Sequence, residues 1–159
     1  MRLYLVQHAQ SKSEEEDPAR PLSPEGQATA ERMAKLFASL QPKVTALWHS
    51  DKLRARQTAE AFAQRIQETE KLRQEPGLAP LDDVEPVAVR FQQQAEDLMI
   101  VGHLPHLSRL ASRLLVNDAE RNVIQFQMAG IVCLGRDESG HWTVLWMVPP
   151  ELAAQITGS

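Results

Sequence analysis

Two histidines and one arginine carry the chemistry open to this sequence. His8 follows the apolar run Leu3–Val6 across Gln7. Arg54 follows the run Val44–Trp48, and His103 follows Asp97–Val101 across Gly102. The three lie 46 and 49 residues apart in sequence. An imidazole can attack phosphorus and carry it covalently. A guanidinium fork can hold two phosphate oxygens at once. A second imidazole can donate a hydrogen bond to the transferring group. Such a set needs no metal if fixed donors stabilise the transition state.

These residues are useful only if the fold brings them together. Short apolar runs alternate with longer amphipathic stretches, the pattern of an α/β fold with three layers and a mostly parallel central sheet. Leu3–Val6, Val44–Trp48 and Asp97–Val101 read as buried strands, and each ends at one of the polar clusters. In such sheets ligands bind outside the carboxyl ends of the strands. Ser23-Pro24 reads as an N-cap followed by a first-turn proline. Ala30, Met33, Ala34, Phe37 and Leu40 then form one apolar stripe, ended by Pro42. Further helices are expected over about 54–67, 84–95 and 105–115. Residues 68–83, with Pro76, Gly77 and Pro80, read mostly as loop. Gln125–Leu134 and Trp142–Val148 read as an antiparallel hairpin at one edge, turned by Asp137–Gly140. Pro149–Ser159 reads as a short helix with a frayed end. Helix starts at Arg54 and just after His103 would add free N–H groups and partial positive charge.

Length and composition set the frame. The chain has 159 residues, the size of one domain spanning 1–159, enough to fold without a metal or disulfide. A formal net charge of −4 at pH 7 argues against the broad basic face that nucleic acid would need. No apolar stretch reaches membrane-spanning length. Met1–Val6 is too short for a signal peptide, so a cytoplasmic protein without a membrane partner is expected. The lone Cys133 lies in an apolar run and reads as a buried, inert thiol. Paired cysteines and a His-x-x-x-His are missing from the sequence, so neither metal nor cofactor is expected.

Four ordered elements resemble those of the histidine phosphatase superfamily, also called the phosphoglycerate-mutase-like or RHG family. Tyr4-Leu5-Val6-Gln7-His8-Ala9 is similar to its first strand and nucleophilic histidine. Arg20-Pro21-Leu22-Ser23-Pro24-Glu25-Gly26 is similar to the Arg-Pro-Leu-Ser/Thr…Gly element opening its first helix. Ser50-Asp51-Lys52-Leu53-Arg54-Ala55-Arg56-Gln57-Thr58-Ala59 matches its Ser…Arg-Ala…Gln-Thr-Ala element. Val101-Gly102-His103-Leu104-Pro105 matches its second-histidine element. The short length resembles the SixA-type phosphohistidine phosphatases. The resemblance implies hydrolysis in two steps. His8 takes the phosphoryl group from a phosphorylated protein, and water then releases inorganic phosphate. Arg54 and His103 complete the catalytic set; Gln7, Arg20 and Ser50 are the further candidates for binding phosphate. One departure stands out: the family has arginine immediately before the nucleophilic histidine, and this chain has Gln7. One positive charge is therefore missing from the expected pocket, and Arg20 could compensate if its loop folds over it.

Other readings stay open at this stage. Gln7 is compatible with a catalytically weak module that binds phosphorylated ligands. A small-molecule phosphomonoesterase or mutase is a further alternative, though the chain leaves little room for a lid. Asp82, Asp83 and Glu85 could supply an acid, but their spacing does not argue for it. His49, His106 and His141 read as strand-end, helix-start and turn residues.

Overall fold

The computed structural model describes residues 1–157. Six strands form one sheet in the order β3-β2-β4-β1-β5-β6. These are β1 (Arg2–Gln7), β2 (Val44–His49), β3 (Leu72–Gln74), β4 (Asp97–Gly102), β5 (Ile131–Arg136) and β6 (Trp142–Val148). The ladders β1–β4, β2–β4 and β2–β3 are parallel; β1–β5 and β5–β6 are antiparallel. The fold is thus the expected α/β class, with an antiparallel hairpin at one edge.

The helices are α1 (Pro24–Ser39), α2 (Leu53–Arg65), α3 (Glu85–Gln93), α4 (His106–Val116) and α5 (Pro150–Thr157). Strand alternation sorts them into two outer layers. Tyr4, Val6, Met99 and Val101 face one core with Phe37 of α1, Phe62 of α2 and Ala153 of α5. Leu3, Leu5, Leu98 and Ile100 face the other with Phe91 of α3 and Leu107 and Leu110 of α4. Tyr4 and Phe37 meet edge to face at 4.9 Å between ring centroids, a favoured aromatic geometry. Cys133 is buried among these side chains, and burial pushes its thiol up to about 11.

Three expectations need correction. Leu40 does not join the α1 stripe: it caps the helix and is 53% exposed. Residues 68–83 are not all loop, because a short 3-10 turn leads into β3. β3 offers a single leucine and no alternation; it forms because the edge of β2 supplies a parallel ladder. The strand expected from Gln125 begins only at Ile131, because β1 and β6 pair with Ile131–Arg136 and leave 125–130 outside the ladder. The helix expected in the tail is α5; the frayed end expected at Gly158-Ser159 lies outside the described residues.

Ser23 caps α1 as its type suggests, its Oγ accepting from Gly26 N at 3.0 Å. Gly26 has a second task. A Cβ built there would lie 1.9 Å from the Gln10 carbonyl oxygen. That carbonyl also accepts from Ser23 N at 3.0 Å, so it cannot retreat without breaking the cap region. Only glycine allows α1 to approach the loop after β1 this closely. Gly26→Ala should therefore destabilise the protein by about 3 kcal/mol or more, the upper end of overpacking costs. Thermal unfolding should show a Tm lower by roughly 6–12 °C for a chain of this size. An unchanged Tm would mean that the contact is not held in solution.

Candidate active site

β2, β4 and β1 are neighbours in the sheet, so their carboxyl ends bring three sequence clusters side by side. His8 leaves β1 with its N–H donating to Gly102 O at 3.0 Å, which locks the end of β1 to the end of β4. The rings of His8 and His103 lie 5.1 Å apart between centroids, inclined at 51°. At the end of β2 the Ser50 hydroxyl lies 2.5 Å from His103 Nε2 and also accepts from Lys52 N at 3.2 Å. Ser50 and His103 are both buried, at 1% and 2% exposure. Ser50 thus fixes both the turn before α2 and the His103 ring.

The His8 tautomer follows from one contact. Its Nδ1 lies 2.7 Å from Ala9 O, and a carbonyl can only accept. The proton therefore sits on Nδ1, and in the neutral ring Nε2 carries a free lone pair. Burial lowers the His8 pKa, and the charges of Arg54 and Arg20 lower it further against the pull of the Ala9 carbonyl. His103 is pushed down to about 3, chiefly by burial and then by His8, Arg54 and Lys52. Both imidazoles are neutral at pH 7, and the fixed charge around them is cationic.

Arg54 lies in the first turn of α2, a helix whose N-cap Lys52 makes no side-chain cap. Its Nε is buried without a protein partner. Burial and the Arg20 charge lower its pKa, which Asp51 partly offsets. Arg20 adopts a left-handed backbone (φ 50°). Its Nη2 donates to Ser11 Oγ at 3.2 Å and its Nε to Lys12 O at 3.4 Å. These contacts hold Arg20 on the β1 loop, where its charge acts on both His8 and Arg54. Two guanidiniums acting on one imidazole, neither held in an ion pair with a carboxylate among the described residues, are suited to an anion.

Gln7 sits at the end of β1, opposite Gly102 in the ladder. Leu3 and Leu5 face α3 and α4, so Gln7, the next residue of that register, belongs to the same face. Its Oε1 is buried without a protein partner. Residues 128–129 close over it: Ala129 N donates to Gln7 O at 2.8 Å, and Met128 forms a parallel bridge with Gln7.

Two positioning residues escaped the sequence reading as individuals, although both sit in the Gln57-Thr58 pair of the third element. Thr58 Oγ1 accepts from Ala9 N at 3.0 Å, and Gln57 Oε1 accepts from Leu22 N at 2.7 Å. One turn of α2 therefore pins both the His8 loop and the Arg20-Pro21-Leu22 segment. Lys52, also overlooked, contributes its charge to His103. The candidate acids do not join them. Glu85 makes two 2.7 Å bonds to Arg113, while Asp82 and Asp83 accept from the main chain of Ala79 and Glu85. His49, at the end of β2, and His106, opening α4, are buried; His141 lies in the exposed β5–β6 turn. Among the described residues, no group of three His, Cys, Asp or Glu side chains could hold a metal ion, and no helix is long and apolar enough to cross a membrane.

A neutral imidazole with its Nδ1 committed to a carbonyl, a second neutral imidazole and the charges of Arg54 and Arg20 thus lie at the carboxyl ends of parallel strands. The family comparison agrees: the model of the histidine phosphatase superfamily (branch 1) matches residues 3–82, and the chain belongs to that superfamily. Its fold is of the SixA type. The protein histidine phosphatase SixA, solved with tungstate, superposes with a TM-score of 0.83 at 24% identity, covering 94% of this chain and 97% of that one. The alpha-ribazole phosphatase of Shigella flexneri superposes with a TM-score of 0.76 at 16% identity, covering 94% and 97%. A mycobacterial glucosyl-3-phosphoglycerate phosphatase gives 0.71 at 17% identity, covering 91% and 97%. No curated protein sequence matches the chain significantly.

Proposed function

We propose that this protein is a phosphatase that removes phosphate from a phosphorylated protein, with phosphohistidine as the favoured substrate, by way of a phosphohistidine on His8. The observation that carries this reading is the His8 tautomer. The Ala9 carbonyl holds the proton on Nδ1 and leaves Nε2 as a lone pair for attack on phosphorus. In the first step the Nε2–P bond forms as the bond from phosphorus to the leaving group breaks. In the second, water attacks phosphorus and Nε2 departs. Arg54 and Arg20 hold the phosphoryl oxygens; the Ser50 hydroxyl gives its one proton to His103 Nε2 and orients the ring, which leaves the His103 Nδ1–H as the donor from this pair. Gln7 stands where the family has arginine and offers a neutral amide instead. The fold resemblance to SixA supports the protein substrate; the small-molecule phosphatases of the same fold keep the phosphomonoester reading in view.

Phosphate release should be measured on a phosphohistidine protein and on an aryl phosphate. The proposal expects a kcat/KM at least tenfold higher on the protein; the reverse order would overturn the substrate assignment. A second reading, a binding module with little turnover, is favoured by Gln7 alone. It requires phosphopeptide binding without phosphate release from either substrate.

Two further outcomes follow. Gln7→Arg should raise kcat/KM about tenfold or more, since one preorganised donor is worth roughly 10²–10³ in rate at its best. An unchanged or lower value would mean that the pocket is tuned around the amide. The pH profile carries a sign as well. The lowered His8 pKa keeps the nucleophile neutral below pH 6.5, so the acid limb of kcat/KM should lie below 6.5 once substrate ionisation is corrected. Stability should also fall as pH drops from 6.5, because the unfolded chain binds protons that half-buried His8 and buried His103 refuse. An acid limb at or above 6.5 would contradict the half-buried, neutral His8.

A further inference from the structure

A groove of about 610 Å³ runs beside the candidate active site. One wall is Leu104 and Pro105, which directly follow His103, with Ser108 and Arg109 from the first turns of α4. The other wall is the irregular segment that includes residues 122–126. At one end a Ser108–Asn122 hydrogen bond and a 3.0 Å Arg109–Glu120 ion pair tie the walls together. At the other end the segment runs into Met128 and Ala129, which pair with Gln7. The two walls of the groove thus lead along the chain to His103 on one side and to the partners of Gln7 on the other.

The second wall has the build of a strand without a partner. Burial alternates residue by residue: Val123, Gln125 and Gln127 are exposed, Ile124 and Phe126 are buried. That period of two is the signature of extended chain. Among the described residues, the main-chain groups of Ile124, Gln125 and Phe126 make no hydrogen bond to another main-chain group. At its start Val123 N donates to a side chain instead, Ser112 Oγ at 3.2 Å. Unpaired main-chain donors and acceptors on an extended edge are a template for another chain. The rim is apolar as well, with Leu104 41% and Val123 42% exposed. A small phosphate ester would not satisfy a row of main-chain groups; an extended polypeptide would.

We infer that the segment Ile124–Phe126 pairs as a strand with an extended stretch of the phosphorylated substrate protein, laid in the groove beside His103. The inference rests on the reading of a polypeptide-borne phosphate. Main-chain pairing supplies affinity and alternate side-chain contacts supply selectivity, as in other strand-addition complexes.

The test uses a phosphohistidine peptide of about ten residues, the same peptide N-methylated along its main chain, and phosphoramidate as the minimal donor of the same P–N bond. Two variants lie outside the phosphate site. Gln125→Pro removes one unpaired N–H, and Ser108→Trp fills the groove from the α4 side. Turnover is read as kcat/KM, and affinity for peptide and for tungstate is read by titration. Each variant, and N-methylation, should weaken peptide affinity and kcat/KM at least tenfold. Phosphoramidate turnover and tungstate affinity should stay within twofold. If Gln125→Pro fails to fold, Ser108→Trp and the N-methylated peptide still decide the matter. Peptide and phosphoramidate falling together, or a peptide indifferent to all three changes, would overturn the groove assignment. Groove-dependent peptide binding with no hydrolysis of either substrate would uphold the groove and overturn the phosphatase reading instead.

Discussion

His8→Ala should release phosphate at least ~10⁴-fold more slowly than the parent protein, on a par with removing the nucleophile from other covalent catalysts. The reason is specific to the ring. Nδ1 is committed to the Ala9 carbonyl, so Nε2 is the nitrogen with a lone pair at neutral pH. The variant should fold normally, because the side-chain hydrogen bond it loses is a local one to the next residue. It should also keep tungstate affinity within about tenfold, since a charge-assisted bond to phosphate is worth ~1.5–3 kcal/mol and both guanidiniums remain. Rate and binding are thus expected to separate. Residual turnover within tenfold of the parent would show that another group attacks phosphorus, and loss of tungstate binding with the rate would point to a collapsed pocket.

Arg54→Ala should lower kcat/KM by roughly 10²–10³, the usual cost of deleting one preorganised donor. It should weaken tungstate binding in parallel, in contrast to His8→Ala. Stability offers a control. Arg54 Nε is buried without a protein partner, and burial, then the neighbouring Arg20 charge, disfavour its protonated form more than Asp51 favours it. Removing the guanidinium therefore breaks no ion pair and relieves repulsion, so Tm should hold or rise slightly. Arg54→Lys should recover only part of the rate, since an ammonium restores the charge and not the two-pronged fork. A Tm drop of several degrees with unchanged tungstate affinity would assign Arg54 to the scaffold rather than to the anion.

Much of this was legible in the sequence because local chemistry and fold agreed. Ser23-Pro24 announced α1, and three apolar runs ending in polar clusters announced three strands whose ends meet. The convergence of His8, Ser50 and His103 needed only those strands to be neighbours. What escaped depended on tertiary contacts. β3 has one apolar residue in three and exists through the edge of β2. Residues 125–127 carry a strand-like alternation, yet β1 takes only Met128 beyond them, in an isolated bridge to Gln7, so the period of two is there without the ladder it suggests. The need for glycine at 26 comes from the carbonyl of Gln10, sixteen positions earlier, a proximity that no local pattern encodes. Gln57 and Thr58 were visible as a dipeptide, while their task of holding two loops appears only once α2 lies against them.

The most direct test of the central claim is to quench the reaction with a phosphohistidine substrate and map the phosphoryl group on the enzyme by mass spectrometry. A covalent transfer through His8 predicts an acid-labile, base-stable phosphate on that imidazole, absent from His8→Ala. Full turnover with the label on a different residue, or with an unlabelled His8 under conditions that trap the first step, would contradict it.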